Sequence, residues 1–140
     1  MRQVNLFVNG LIPAGHRLRT PTSGEMAHYR NALTPDRREA SSVLPGRITA
    51  SRDFLADIEA GLPDLASLPT LIVWSDGDFA FRAKERRRWE RIFPDHTTVI
   101  IEGAGHFVQS DAPDRFAAAL RDWLVPPTAD HPEAEMPTEA

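Results

Sequence analysis

Two uninterrupted apolar runs, Thr70-Leu71-Ile72-Val73-Trp74 and Thr97-Thr98-Val99-Ile100-Ile101, stand one helix length apart, and that spacing leaves few folds open. A run that is apolar without alternation is the pattern of a strand covered on both faces, as in a parallel sheet. Between them, Arg82 to Phe93 places Trp89, Ile92 and Phe93 on one face and is closed by Pro94-Asp95, which predicts the crossover helix. Leu71–Trp74 and Thr97–Ile101 are then parallel neighbours. Beyond them, Asp111 is expected to N-cap a last helix, with Pro113 and Asp114 in its first turn and Phe116, Leu120, Trp123 and Leu124 as its buried stripe.

Residues 1 to 66 have a different texture, punctuated by Pro, Gly and Arg and without a long apolar run. Thr22-Ser23-Gly24-Glu25 is a capping-box pattern, predicting a short helix through Met26, Tyr29 and Leu33. Pro35 opens a second helix, Asp36 to Val43, expected to end at Pro45. A third covers Ser51 to Gly61, with Phe54, Leu55 and Ile58 on one face. Nothing in this half supplies a third convincing strand. Two strands patterned for burial on both faces need more sheet than that, so the chain reads as the end of a larger α/β fold.

Composition narrows the classes. The net charge of −4 resides in residues 126 to 140, where Asp130, Glu133, Glu135 and Glu139 accompany four prolines and no Lys or Arg. Such a segment buries too little apolar surface to offset its ordering entropy and is expected to be a disordered tail. The remaining body is close to neutral and offers no electrostatic footprint for nucleic acid or an acidic membrane. Arg82 to Arg91 is locally basic, but Glu85 and Glu90 interleave with its arginines at helical spacing, the pattern of a solvated face with i,i+4 ion pairs. The absence of Cys excludes disulfides, Cys-based metal sites and a thiol nucleophile. Asn5, Asn9, Gly10 and Pro13 interrupt the first apolar patch before a signal-peptide core or membrane span forms, and a cytoplasmic location is expected.

Chemistry gathers just past the two runs. Open α/β sheets collect ligands and catalytic groups beyond the carboxyl ends of their strands. Asp78 follows the first run and His106 lies in Gly103-Ala104-Gly105-His106-Phe107 after the second, so the two are expected to be neighbours. A carboxylate that accepts an imidazole N–H fixes the tautomer and leaves the other ring nitrogen to take a proton. Gly103 and Gly105 let the loop turn tightly and place the ring. Asp76, in the turn-rich Ser75-Asp76-Gly77-Asp78, competes with Asp78 for the acid role.

These residues resemble the C-terminal part of α/β-hydrolases and, within them, the haloalkane dehalogenases. The resemblance rests on Pro69 to Phe81, on Phe93-Pro94-Asp95-His96, on Gly103-Ala104-Gly105-His106-Phe107-Val108-Gln109-Ser110-Asp111-Ala112-Pro113 and on Trp123-Leu124. Phe7, Glu25-Met26, Tyr29, Arg37-Arg38 and Leu44-Pro45-Gly46-Arg47-Ile48 are similar to the end of that family's helical cap and its return to the core. The Trp-Gly-x-x-Asp pattern of the family implies Asp78 as triad acid, and its Gly-x-Gly-His-Phe implies His106 as base. Ser75 replaces the usual Gly, and the proline common shortly after the cap Tyr is missing around Ala32-Leu33.

The larger departure is the nucleophile. No Gly-x-[Ser/Asp/Cys]-x-Gly elbow occurs among the eight glycines. Its nearest mimic, Trp74-Ser75-Asp76-Gly77, has Val73 where the first glycine belongs, and Asp78 to Phe81 delay the helix that should follow. The implied fold is therefore an incomplete α/β-hydrolase: cap remnant and return over residues 1–66, βαβα core over 67–125 and acidic tail over 126–140. The implied chemistry is carbon–halogen hydrolysis of a small apolar haloalkane through an alkyl-enzyme ester, without a metal or other cofactor, with Phe7, Phe79, Phe81 and Phe107 as candidate pocket residues. Without a nucleophile, the chain alone is expected to be inactive. An epoxide hydrolase-like fragment is the nearest enzyme alternative. A non-catalytic remnant that binds an apolar ligand, or docks on a separate N-terminal half or hydrolase subunit, is the other.

Overall fold

The structure, a computed structural model, describes residues 5–34, 37 and 39–125. Expectations for the tail over 126–140 and for a helix start at Asp36 lie outside those residues.

The chain enters through a π-helical turn, Phe7–Leu11, that runs into the short helix α1, Ile12–Ala14. Three further helices follow: α2, Ser23–Ala32; α3, Glu39–Ala50; and α4, Arg52–Gly61. The expected capping box is formed at α2. Thr22 Oγ1 accepts the Glu25 N–H at 3.2 Å, and the Glu25 carboxylate accepts the Thr22 N–H at 2.7 Å. A 3₁₀ turn, Leu62–Leu65, then leads to β1, Thr70–Ser75, followed by α5, Ala83–Ile92, and β2, His96–Ile101. Two helices close the described chain: α6, Val108–Asp111, and α7, Pro113–Leu124.

Among the described residues the sheet has two strands, parallel and in register from Thr70 opposite His96 to Ser75 opposite Ile101. That register aligns the carboxyl ends of both strands, which places the loops after Ser75 and Ile101 side by side. Helices α5 and α7 pack against the pair. The fold class expected from the two apolar runs is thus present.

Three local expectations are corrected. Helix α3 runs through Pro45 to Ala50, although proline lacks the N–H that would bond one turn back. Asp111 does not cap α7: it ends α6, Ala112 occupies the N-cap position, and the Asp111 carboxylate points to backbone far upstream. The apolar stripes are only partly covered. Phe93 is buried, but Trp89, Leu120 and Leu124 are exposed, as are Phe54, Leu55 and Ile58 of α4. Side chains patterned for burial stay open where the described chain provides no facing layer.

Among the described residues two small cores result. Val8, Ile12 and Met26 form one, with Leu33 and Phe107 against it; Ile101, Ala104 and Ala112 form the other, with Val73, Val108 and Phe116. Phe107 anchors in the first core while its neighbour Val108 and nearby Ala104 anchor in the second. The loop that carries His106 is therefore pinned from both sides.

Candidate active site

Asp78 and His106 meet as their strand-end positions predict. His106 Nδ1 lies 3.0 Å from both Asp78 carboxylate oxygens. A carboxylate of this kind accepts, so Nδ1 donates, and in the neutral ring Nε2 keeps its lone pair. Nε2 has no hydrogen-bond partner among the described residues.

The Asp78 side chain is 8 % exposed and is fixed from behind. Its Oδ1 also accepts the N–H groups of Ala80 at 2.7 Å and Phe81 at 3.1 Å. The segment after β1 thereby folds around its own carboxylate, an Asx-type turn that local sequence favours. Trp74 Nε1 donates to the Phe81 carbonyl at 3.2 Å and ties the same segment to the strand.

Asp76, the competing acid, is used elsewhere: its Oδ1 accepts the Gly103 N–H at 2.6 Å and joins the two strand-end loops. Ser75, the elbow mimic, is buried, and its hydroxyl donates to the Gly105 carbonyl at 2.7 Å. Both residues hold the loop under His106. Gly103 takes a φ of 78°, a left-handed conformation that suits glycine. At Gly105 a side chain would bring its Cβ within 2.3 Å of the Gly15 carbonyl oxygen.

Aromatic rings surround the imidazole. Phe79 and Phe81 lie tilted at centroid distances of 5.6 and 5.5 Å, and Phe107 stands edge-on at 4.9 Å. Phe7, the fourth candidate, is on the π-helical turn, 43 % exposed and without ring contact to His106. A cavity of about 500 Å³ adjoins Asp78, lined by Arg17, Trp74, Gly77, Phe79, Arg82 and Arg86 among others.

Sequence reasoning missed Asp111. This carboxylate is 3 % exposed and accepts four backbone N–H groups: Arg17 at 2.9 Å, Leu18 at 3.0 Å, Arg19 at 3.1 Å and Gly105 at 2.7 Å. Burial pushes its pKa up, but the N–H groups of Arg17, Gly105, Arg19 and Leu18 more than offset this and hold it below the usual value. One side chain thus clamps the segment after α1 to the residue before His106. No local signal could have revealed it, since Asp-Ala-Pro reads equally well as a helix start. Beside it, Glu25 is drawn down to about 2 by the hydrogen bonds from the Arg19 guanidinium and from Thr22.

Comparison with known proteins agrees with this architecture. Residues 11–113 match the alpha/beta hydrolase fold family, and the chain belongs to it. Within that family the sequence is haloalkane dehalogenase-like. Haloalkane dehalogenase 2 of Mycobacterium tuberculosis and that of Mycobacterium bovis are each 45 % identical over 120 residues, covering 83 % of this chain and 41 % of the relative. Cis-3-alkyl-4-alkyloxetan-2-one decarboxylase of Shewanella oneidensis is 30 % identical over 72 residues, 51 % of this chain and 23 % of that protein. Crystal structures of DbjA, one wild type and one a mutant designated delta, share the fold with TM-scores of 0.74 and 0.75 at 22 % identity. They are covered to 43 % and 44 % of their length by 88 % of this chain. The chain spans less than half the length of the dehalogenases it matches. Among the described residues no helix is long and apolar enough to cross a membrane.

Proposed function

We infer that Asp78 and His106 are the acid and base of a haloalkane dehalogenase-type hydrolytic site, and that the nucleophile comes from outside this chain. The observation that carries this reading is the contact of His106 Nδ1 with both Asp78 oxygens, which leaves Nε2 free amid three aromatic rings. In that role Nε2 takes a proton from water as its oxygen attacks the carbonyl of an alkyl ester on an aspartate, and Asp78 stabilises the imidazolium. The ester forms earlier, when the aspartate displaces halide from carbon. None of these steps calls on a cofactor. Phe79, Phe81 and Phe107 suit a small apolar haloalkane.

On this reading the described residues up to 66 are the end of the cap and its return, and those from 67 to 125 the last βαβα of the core. The partner is an N-terminal half, or a separate hydrolase chain, that carries the elbow aspartate and pairs with the edge of β1 that no strand among the described residues covers. The exposed apolar side chains of α3 and α4 support such a partner. Halide release from a short bromoalkane tests it. The chain alone is expected to be inactive, and mixing with an N-terminal dehalogenase half that retains its aspartate is expected to produce turnover that Asp78→Asn or His106→Ala removes. Turnover by the chain alone, or a reconstituted activity indifferent to His106→Ala, overturns the assignment.

A further inference from the structure

A second histidine is engaged with a hydroxyl nucleophile on the far side of Phe107. His16 Nε2 lies 2.7 Å from Ser110 Oγ, and His16 Nδ1 lies 2.8 Å from the Ile12 carbonyl oxygen. A carbonyl can only accept, so Nδ1 carries the proton, and in the neutral ring Nε2 must accept from the serine hydroxyl. The alternative acceptor for that hydroxyl, the Phe107 carbonyl, is farther at 3.3 Å. Nucleophile, base and an acceptor that orients the base therefore stand in line, the arrangement by which a serine is activated. The ring is further held by Phe107, whose centroid is 5.5 Å away.

The pair opens into a cavity of about 200 Å³ lined by His16, Arg19, Pro21, Glu25, His28, Tyr29 and Ser110. Nothing in the proposed dehalogenase chemistry uses it. We propose that Ser110 is an acyl-acceptor site for small activated esters, with His16 as its general base. Ser110 Oγ bonds to the acyl carbon, its proton passes to His16 Nε2, and collapse of the tetrahedral adduct expels the alcohol or phenol portion, which His16 reprotonates. A cavity of about 200 Å³ suits a small acyl group such as acetyl.

The same site fixes how fast this proceeds. The backbone N–H groups of the lining are committed: His16 to the Pro13 carbonyl, Arg19 to Asp111, Glu25 to Thr22 and Ser110 to the Phe107 carbonyl. His28 and Tyr29 lie inside α2, and Pro21 has none. Oxyanion stabilisation falls to side chains such as the Tyr29 hydroxyl, without the paired backbone donors of an efficient hydrolase. Acylation is then slow, deacylation slower, and the expected product is a stable acyl-serine.

The chain lends itself to the test, because it holds one Lys, one Tyr and no Cys to react in the background. Incubation with p-nitrophenyl acetate, followed by mass spectrometry of the intact chain and its peptides, is expected to show one acetyl group per chain, on Ser110. Ser110→Ala abolishes it, His16→Gln slows it by about 100-fold, and His106→Ala leaves it unchanged, which separates this site from Asp78–His106. Melting curves establish that each variant is folded. Acetyl found on Lys84, Tyr29 or the amino terminus instead of Ser110, no acetyl at all, or labelling of His16→Gln at the parent rate overturns the proposal. Peptide mapping of the unaltered chain decides the matter even if a variant misfolds.

Discussion

At the scale of single residues, Asp111 has the widest reach, because one carboxylate satisfies four backbone donors on two distant segments. Asparagine at this position keeps one acceptor oxygen and turns an amide NH₂ toward two of the N–H groups. Leaving a buried donor unsatisfied costs about 1–3 kcal/mol, so Asp111→Asn is expected to lower stability by about 2–5 kcal/mol in urea denaturation. The pH dependence follows from the same bonds. Asp111 is held below its ordinary value of 3.8 and Glu25 is lowered from 4.5 to about 2. A depressed carboxylate stabilises the fold above its ordinary pKa, and that stabilisation fades as pH falls toward the folded value. The melting temperature should therefore drop as pH is lowered from 4.5 to about 2, with a shallower drop in Asp111→Asn. At Gly105 the constraint is steric. The 2.3 Å approach to the Gly15 carbonyl predicts that Gly105→Ala displaces the loop, seen as a changed His106 ring resonance even where the helices persist.

Elements divide according to how local their causes are. β1, β2, α5 and the α2 capping box were legible because each is written in consecutive residues: an apolar run, an amphipathic period, a Thr and a Glu three apart. The meeting of Asp78 and His106 was legible for a related reason, since parallel register carries the loops after Ser75 and Ile101 to the same edge. What escaped was either a local rule overridden or a bond with no local trace. Pro45 reads as a stop, yet α3 continues past it to Ala50 at the loss of a ladder bond. Pro45→Ala restores that bond, and a gain of about 1–3 kcal/mol in stability is expected from the propensity difference, measurable as a raised denaturation midpoint. The role of Asp111 escaped because three of its four partners lie 92 to 94 residues upstream. Asp76 and Ser75, weighed as acid and nucleophile, proved to be struts of the same loop.

For the molecule as a whole, the exposed apolar surface dominates. Val43, Leu44 and Ile48 of α3 and Phe54, Leu55 and Ile58 of α4 are all exposed, and a groove of about 530 Å³ runs between α4 and α5 past Leu62, Trp74 and Trp89. Contiguous apolar surface of this kind binds hydrophobic dyes and promotes association. The isolated chain is expected to enhance anilinonaphthalene sulfonate fluorescence strongly, and an N-terminal dehalogenase half is expected to suppress that signal as it docks. Persistence of the full signal in the mixture would count against the proposed partner.

The bonds from Asp111 to residues 17–19 also impose an order on folding. Closing a loop of 94 residues carries a length-dependent entropic cost of about 4 kcal/mol, which must be met before the bonds at either end return anything. During synthesis the segment after α1 emerges early, but its acceptor emerges only after both strands and α5. His106 thus waits, unaligned, for a residue five positions further along the chain. The orientation of the His106 imidazole is among the last features the polypeptide acquires, whichever helices have formed by then.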